Sequence, residues 1–542
     1  MSEQAQFHHI AAPDSRVLGA GWLAVIMVAL TLCVANLYLG ALNQDEGWYL
    51  YSARLVSEGK LPFVDFASTQ GPVMAIVYSL GQPLVNAMGV AGGRLYTAML
   101  GMFCFVIVAV LAYRHAPKSS AGSCALMAFT LAAVNVYQSY FFTIVKTYAL
   151  AGSLIAAGFL MLSIRSGTWV GLRLFAAGLF FAMAAATRIS AGVIIPIIFL
   201  LLLTESLQMK KARAHAYYIL FAVGALTGLA VFLFPFWFLA PDAFRFGMFE
   251  YHSARSVGGL AQVLAYKAGF ISRTVQAYFA GIGLLTVIFI MDKCTPLSSS
   301  IIPKCELMFT RTVTRGLWYS ILAVTVIHFA APFPYDDYQA MIYPVFAVAL
   351  AVYSMKVLEG YAMPYRQSLL LSMTIIICIL ASFSSPVNEK WFVGERDRIW
   401  WPIKKESSLV NLHKAAVMTR SLAQESRELF TQDTYLAVES GMKVPHGMEM
   451  GPFCYYPDWP TSRAVQCHVL NREMMVDTIL NSPATVAAVS GYGFAVKAPA
   501  IMPLESRDVS LLWKTLLSKY QLFRTVDGYG QAGTKLDILL KK

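Results

Sequence analysis

A polytopic α-helical membrane protein of about eleven transmembrane helices, followed by a small C-terminal extracytoplasmic α/β domain, is the fold class the sequence predicts. Three observations predict it. Of 542 residues, 57% are hydrophobic and only 13% charged, against roughly 25% charged in an ordinary soluble domain. Apolar runs near the length that carries a helix across a bilayer, about 20 residues, recur between residues 19 and 384. Beyond that point charge becomes dense, with 19 Lys+Arg and 16 Asp+Glu in residues 385–542. The mean hydropathy of +0.58 excludes a disordered chain, a basic nucleic-acid-binding protein and a plain cytosolic enzyme.

The expected spans lie near 19–41, 95–113, 121–137, 147–163, 172–187, 189–203, 217–239, 274–291, 317–332, 339–355 and 367–384. Glu3, Asp14 and Arg16 precede the first run, which is long and not strongly basic at its start. An uncleaved first span is expected there, not a signal peptide. His8 and His9 are too few for a metal tract. The apolar stretch 71–90 carries Gly71, Pro72, Gly81, Gln82, Pro83 and Asn86. It reads as an interfacial or re-entrant piece. With a cytoplasmic N-terminus, the inside segments hold fourteen Lys and Arg and the outside ones nine. Counting 71–90 as a span would reverse that bias, against the positive-inside rule. The expected organisation is a multi-pass domain, 1–384, in the inner (plasma) membrane, with a first outside loop at 43–94, and an outside domain at 385–542. The formal net charge of +12 divides into +9 before residue 385 and +3 after it.

In the tail, residues 406–430 have helical spacing, and Thr434–Val438 and Thr485–Val489 read as short strands. No repeat of solenoid period is evident, which also weighs against an inverted-repeat transporter. Cys454 and Cys467 fall on the outside, where a disulfide persists; two buried free thiols are the equal alternative. Trp400-Trp401-Pro402 suits an aromatic belt at the interface.

The first outside loop carries Asp45 and Glu46, then Trp48, Tyr49, Tyr51 and Arg54 on one amphipathic helix. Adjacent acids beside a bilayer are costly and need a reason. Solvated loop acids are one reason; a polar headgroup held at the membrane surface is the other. His252 and Arg255, three apart, share a helical face on which both can donate to an anion. The plainer reading of Arg255 is a pair with Glu250 or a lipid phosphate. Asp336 and Asp337 could form a second acidic patch or a divalent-ion site, with solvated loop acids the simpler reading.

The segment Asp45-Glu46-x-x-Tyr49 with Arg54, Gly59 and Gln70-Gly71-Pro72 resembles the first periplasmic loop of GT-C glycosyltransferases. The likeness is strongest to the glycosyltransferase family 39 branch, with its protein O-mannosyltransferases, aminoarabinose lipid A transferases and galacturonosyltransferase-like proteins. It covers about residues 20–360. The resemblance implies a polyprenyl-phosphate sugar donor and an acid of the first loop, Asp45 or less favourably Glu46, as catalytic base. Glu250-Tyr251-His252-Ser253-Ala254-Arg255 resembles the family's His-x-x-Arg patch, which implies His252 and Arg255 against the donor phosphate. Pro334-Tyr335-Asp336-Asp337-Tyr338 resembles a short loop with a donor-side tyrosine, here Tyr338. Two positions depart from the lipid A transferases. Gln70-Gly71-Pro72 stands in place of Lys-Pro-Pro, and Lys146 stands where that group has an Asp. Lys146 is then expected to take over a phosphate contact, or to snorkel to the interface. Arg188 joins the cationic pocket or marks a helix end. Tyr49 and Arg54 are expected at the substrate, Arg54 orienting the carboxylate or binding an acidic acceptor.

The expected reaction is sugar transfer with inversion to lipid A, a polysaccharide, a glycolipid or a protein hydroxyl. No cofactor is required by this scheme, a divalent cation is compatible with it, and no nucleic acid takes part. The aromatic loop Met450–Pro457 could cover the acceptor entrance or serve packing alone. The alternatives are a flippase for lipid-linked saccharides, which needs polar residues at mid-membrane depth, and a polysaccharide polymerase or ligase.

Overall fold

The structure, a computed structural model, describes residues 15–163, 169–209, 215–255, 259–294, 310–359, 364–384 and 406–542. A helix lies over each expected apolar run. Among the described residues, seven are long and apolar enough to cross a membrane: Leu18–Leu39, Val90–His115, Val170–Thr187, Ile189–Gln208, His215–Phe232, Thr310–Ala330 and Arg366–Phe383. The protein is therefore a multi-pass membrane protein. Thr147–Leu162 is a shorter apolar helix, and Ala121–Ala133 and Tyr343–Glu359 are largely buried in the bundle.

Several runs are interrupted where the local chemistry requires it. The run 121–137 stops at Ala133. Asn135 then caps a new helix, Val136–Phe141, its side chain accepting from the Gln138 amide, as an N-cap asparagine does. In 217–239 the helix ends at Phe232, and Pro235 sits in the first turn of the next, Phe234–Leu239, where its missing N–H costs nothing. The run 274–291 breaks at Tyr278, with Leu260–Ala277 and Phe279–Cys294 meeting at 84°. Residues 71–90 form two helices, Pro72–Ser79 and Gln82–Met88, each too short to cross a bilayer.

In the tail, a four-stranded sheet has strand Leu429–Phe430 parallel to Val486–Ser490. That strand pairs antiparallel with Thr534–Lys541, which pairs antiparallel with Tyr520–Tyr529. Helix Ser408–Ala423 occupies much of the stretch expected to be helical. The strand expected over Thr434–Val438 is instead part of a helix, Thr434–Ser440. Its buried residues are consecutive, without the alternation a half-buried strand needs. Gly441 ends it in the left-handed region at φ +68°, a position that favours glycine. Cys454 and Cys467 are both buried free thiols. Trp400-Trp401-Pro402 and the boundary expected at residue 385 lie outside the described residues.

The tail docks on the first loop through that helix. Glu439 Oε2 accepts from the Val90 amide at 2.8 Å, and the Val444 amide donates to the Tyr51 hydroxyl at 3.0 Å. Gly47 faces the segment so closely that a Cβ there would lie 2.3 Å from the Tyr435 nitrogen.

Candidate active site

The helix Gln44–Ser57 presents the first acid. Asn43 caps it: its side chain accepts from the Asp45 amide, while Glu46 Oε1 accepts from the Asn43 amide at 2.9 Å. This capping box satisfies amides that the first turn leaves orphaned. It also turns Asp45 and Glu46 in different directions. Asp45 faces a cavity of about 400 Å³. Glu46 points into the protein, where Arg94 Nε and Nη2 grip its two oxygens at 2.7 and 2.6 Å. Both side chains are fully buried.

Arg94 also donates to the carbonyls of Leu37, Gly40 and Ala41 at 3.2, 3.1 and 2.9 Å. Two of those carbonyls continue the chain past the end of the first span. The Val145 amide donates to Glu46 as well, at 3.3 Å. Glu46 is thus a structural anchor tying three segments together and lies outside the cavity, which corrects its expected place as an alternative base. Arg54 is likewise corrected. It pairs with Glu58 at 3.2 Å and donates to the carbonyls of Met442 and Gly441. It fastens the tail to the first loop, away from the cavity.

The other expected residues converge on one space. Tyr49, Lys146, Arg188, His252, Arg255 and Tyr338 line it with Asp45. Lys146 caps the helix Thr147–Leu162. Its Nζ lies 3.3 Å from Asp45 Oδ2 and 2.8 Å from Asp337 Oδ2. Arg188 caps the end of Val170–Thr187. Its Nη1 donates to Thr147 Oγ1 at 3.2 Å, and the guanidinium stacks over Tyr338 and Tyr148, 4.3 and 5.0 Å from the ring centres. Arg255 follows a π-helical turn, Phe246–Glu250, a feature that often re-aims side chains at functional sites. Its Nη2 donates to the Tyr251 hydroxyl at 2.7 Å. The Nε groups of both arginines are buried without a hydrogen-bond partner. Such donors are expensive to leave unpaired.

His252 does not share this cationic role. Its ring Nε2 donates to the Thr69 carbonyl at 2.9 Å. Burial, with Arg255 nearby, holds its pKa down at about 4, so the imidazole is neutral at neutral pH. Gly71 follows Thr69 and Gln70, which line the cavity. A Cβ there would stand 1.8 Å from the Ala186 carbonyl oxygen, two residues before Arg188, so glycine permits this approach.

The loop acids 336 and 337 are not solvated. Asp336 accepts from Arg273 Nε at 2.7 Å and from the Tyr137 hydroxyl, which fixes the bent helix Leu260–Ala277 to the loop. Asp337 is in the cavity wall, held by Lys146 and by the Tyr148 hydroxyl at 3.0 Å. Burial would push its carboxyl up, but the Lys146 charge and hydrogen bond outweigh that, aided by Arg188 and Tyr148, and the pKa falls below the usual range. Asp337, Tyr148 and Tyr251 were not among the expected site residues. The tail contributes Phe453, Tyr492, Ile501 and Gln531 to the wall, and Gln531 Oε1 accepts from the Gln44 amide at 2.8 Å. Among the described residues, no group of three or more His, Cys, Asp and Glu is placed to hold a metal ion.

No family's sequence profile matches the chain, and no curated protein matches it. Solved structures do. ArnT from Cupriavidus metallidurans in the apo state superimposes with a TM-score of 0.58 at 13% identity, over 96% of this chain and 98% of that one. The chain has the GT-C fold. The same enzyme bound to undecaprenyl phosphate gives a TM-score of 0.58 at 11% identity, with the same coverage. At these identities the likeness is one of fold. A GT-C fold accounts for the multi-pass bundle and for the helical first loop, against which the C-terminal sheet domain packs here.

Proposed function

We propose that the protein is a membrane glycosyltransferase that moves a sugar from a polyprenyl-phosphate donor to a hydroxyl of an envelope acceptor, with inversion, at the outer face of the inner membrane. The observation that carries this reading is one cavity holding a carboxylate, Asp45, opposite two buried arginines whose Nε donors have no partner. Unpaired buried guanidinium donors suit a phosphate. Arg188 and Arg255 would bind the donor phosphate, with Tyr338 fixing Arg188 by its ring face. The undecaprenyl phosphate bound by ArnT is a ligand of this class.

The reaction follows from charge. The acceptor oxygen attacks the anomeric carbon as its proton passes to an Asp45 oxygen. The bond from that carbon to the phosphate oxygen breaks, its electron pair leaves on polyprenyl phosphate, and the arginines stabilise the charge that develops there. One displacement inverts the anomeric centre. Tyr49, buried beside Asp45, forms the wall under the sugar. The tail, placed outside, closes the cavity over the acceptor through Tyr492 and Gln531.

Arg255→Ala is expected to raise the KM for the donor about tenfold or more, consistent with about 1.5–3 kcal/mol for a hydrogen bond to a charged group. Initial rates against donor concentration check this. An unchanged donor KM in both Arg255→Ala and Arg188→Ala would remove the phosphate assignment.

A further inference from the structure

We infer that Asp337 is a positioning residue for sugar transfer: it draws the Lys146 ammonium away from Asp45 and so keeps the Asp45 carboxylate free to accept a proton. The inference rests on the proposed transfer reaction and on Asp45 as its base. One ammonium serves two carboxylates, and it sits closer to Asp337, at 2.8 Å, than to Asp45, at 3.3 Å. Asp337 is the better held of the two. The Tyr148 hydroxyl donates to the same oxygen that Lys146 contacts, and the 3₁₀ turn Asp336–Met341 that carries it is anchored through Asp336 to Arg273 and Tyr137.

The consequence for Asp45 is electrostatic. An ammonium committed to one acid stabilises that acid's anion fully and lowers its affinity for a proton. A base that binds its proton weakly is a weak base in the transition state. By sharing Lys146, the site gives the shorter ammonium contact to Asp337 and leaves Asp45 the longer one. This also separates the cations by role: Lys146 is occupied by acids, while the arginines keep free Nε donors. The groups that face Asp337 are Lys146, Tyr148, Arg188, His328, Tyr137 and Tyr278. Those that face Asp45 are Lys146, Tyr49 and Tyr251.

The test compares pH–rate profiles of purified wild type, Asp337→Asn, Asp337→Glu and Asp45→Asn in lipid nanodiscs with one labelled polyprenyl-phosphate sugar. Asparagine can still accept from Tyr148, and melting temperatures report folding. In Asp337→Asn, Lys146 closes on Asp45. The acid limb of kcat should then move to lower pH by at least half a unit, with kcat at neutral pH down about tenfold. Asp337→Glu should return both toward wild type. A fall in kcat with an unmoved acid limb, or no fall at all, overturns the inference. So does tighter binding of undecaprenyl phosphate by Asp337→Asn, which would make Lys146 a phosphate ligand. Asp45→Asn keeps the two readings apart. If it transfers sugar at the wild-type rate, the base assignment itself fails. If it is inactive while Asp337→Asn keeps the wild-type profile, only the role of Asp337 fails.

Discussion

Asp45→Asn is expected to lower kcat for sugar transfer by about 10²–10⁴-fold, the span a positioned general base contributes. Donor binding should be nearly unchanged. Asparagine keeps the size of the side chain and an oxygen facing Lys146 but cannot take the acceptor proton. The capping of the helix Gln44–Ser57 should survive, because Asn43 and Glu46 make those bonds. Melting temperature and undecaprenyl phosphate affinity should both stay close to wild type while turnover collapses. Single-turnover assays with labelled donor read the effect. Loss of donor binding together with turnover would mean that Asp45 organises the pocket and is not its base.

Arg94→Met should have the largest effect on stability. It removes one partner of a fully buried ion pair and leaves the Glu46 carboxylate without its guanidinium. Breaking such a pair from one side costs about 3–5 kcal/mol. The same substitution strips donors from the carbonyls of Leu37, Gly40 and Ala41, at the exit of the first span. Little folded protein should accumulate, and what does should melt well below wild type. Glu46→Gln is milder, since an amide oxygen can still accept from Arg94 and from the Asn43 amide. A melting curve for Arg94→Met that overlays wild type would contradict the anchoring role given to Glu46.

The neighbours Asp45 and Glu46 show how far the sequence could be read. The adjacent acids pointed to the loop, and the family resemblance pointed to the reaction. Which acid faces the cavity depends on Arg94, 48 residues away in sequence, on a different helix. No local pattern shows that pairing. Arg54 failed for a similar reason: helical spacing put it near the acids, but the carbonyls that receive it belong to Gly441 and Met442 in the tail. Lys146, Arg188 and Arg255, which the structure places in the cavity wall, stood out because charges beside apolar spans are rare; Lys146 was expected at a phosphate and sits between two carboxylates. Asp337 was read most simply as a solvated loop acid because an acidic pair in a short loop is ordinary when viewed alone. Its signal lies in Lys146, a buried cation that needs an acid.

Helix positions were legible because apolar runs set them. Their breaks were less so. The 84° bend at Tyr278 carries no proline or glycine at the junction, and the apolar part of the helix Thr434–Ser440, Tyr435 to Val438, is too short for periodicity to distinguish from a strand. In both, long-range packing decides what local preference leaves open.

The most direct measurement is donor consumption by the purified protein in liposomes, supplied with a panel of labelled polyprenyl-phosphate sugars and an envelope extract as acceptor, beside the Asp45→Asn variant. The account predicts that the wild type releases polyprenyl phosphate and places the label in acceptor with inverted anomeric configuration, while the variant leaves the donor intact. A wild type that moves the labelled lipid across the bilayer with its sugar still attached, and leaves every donor uncleaved, would contradict it.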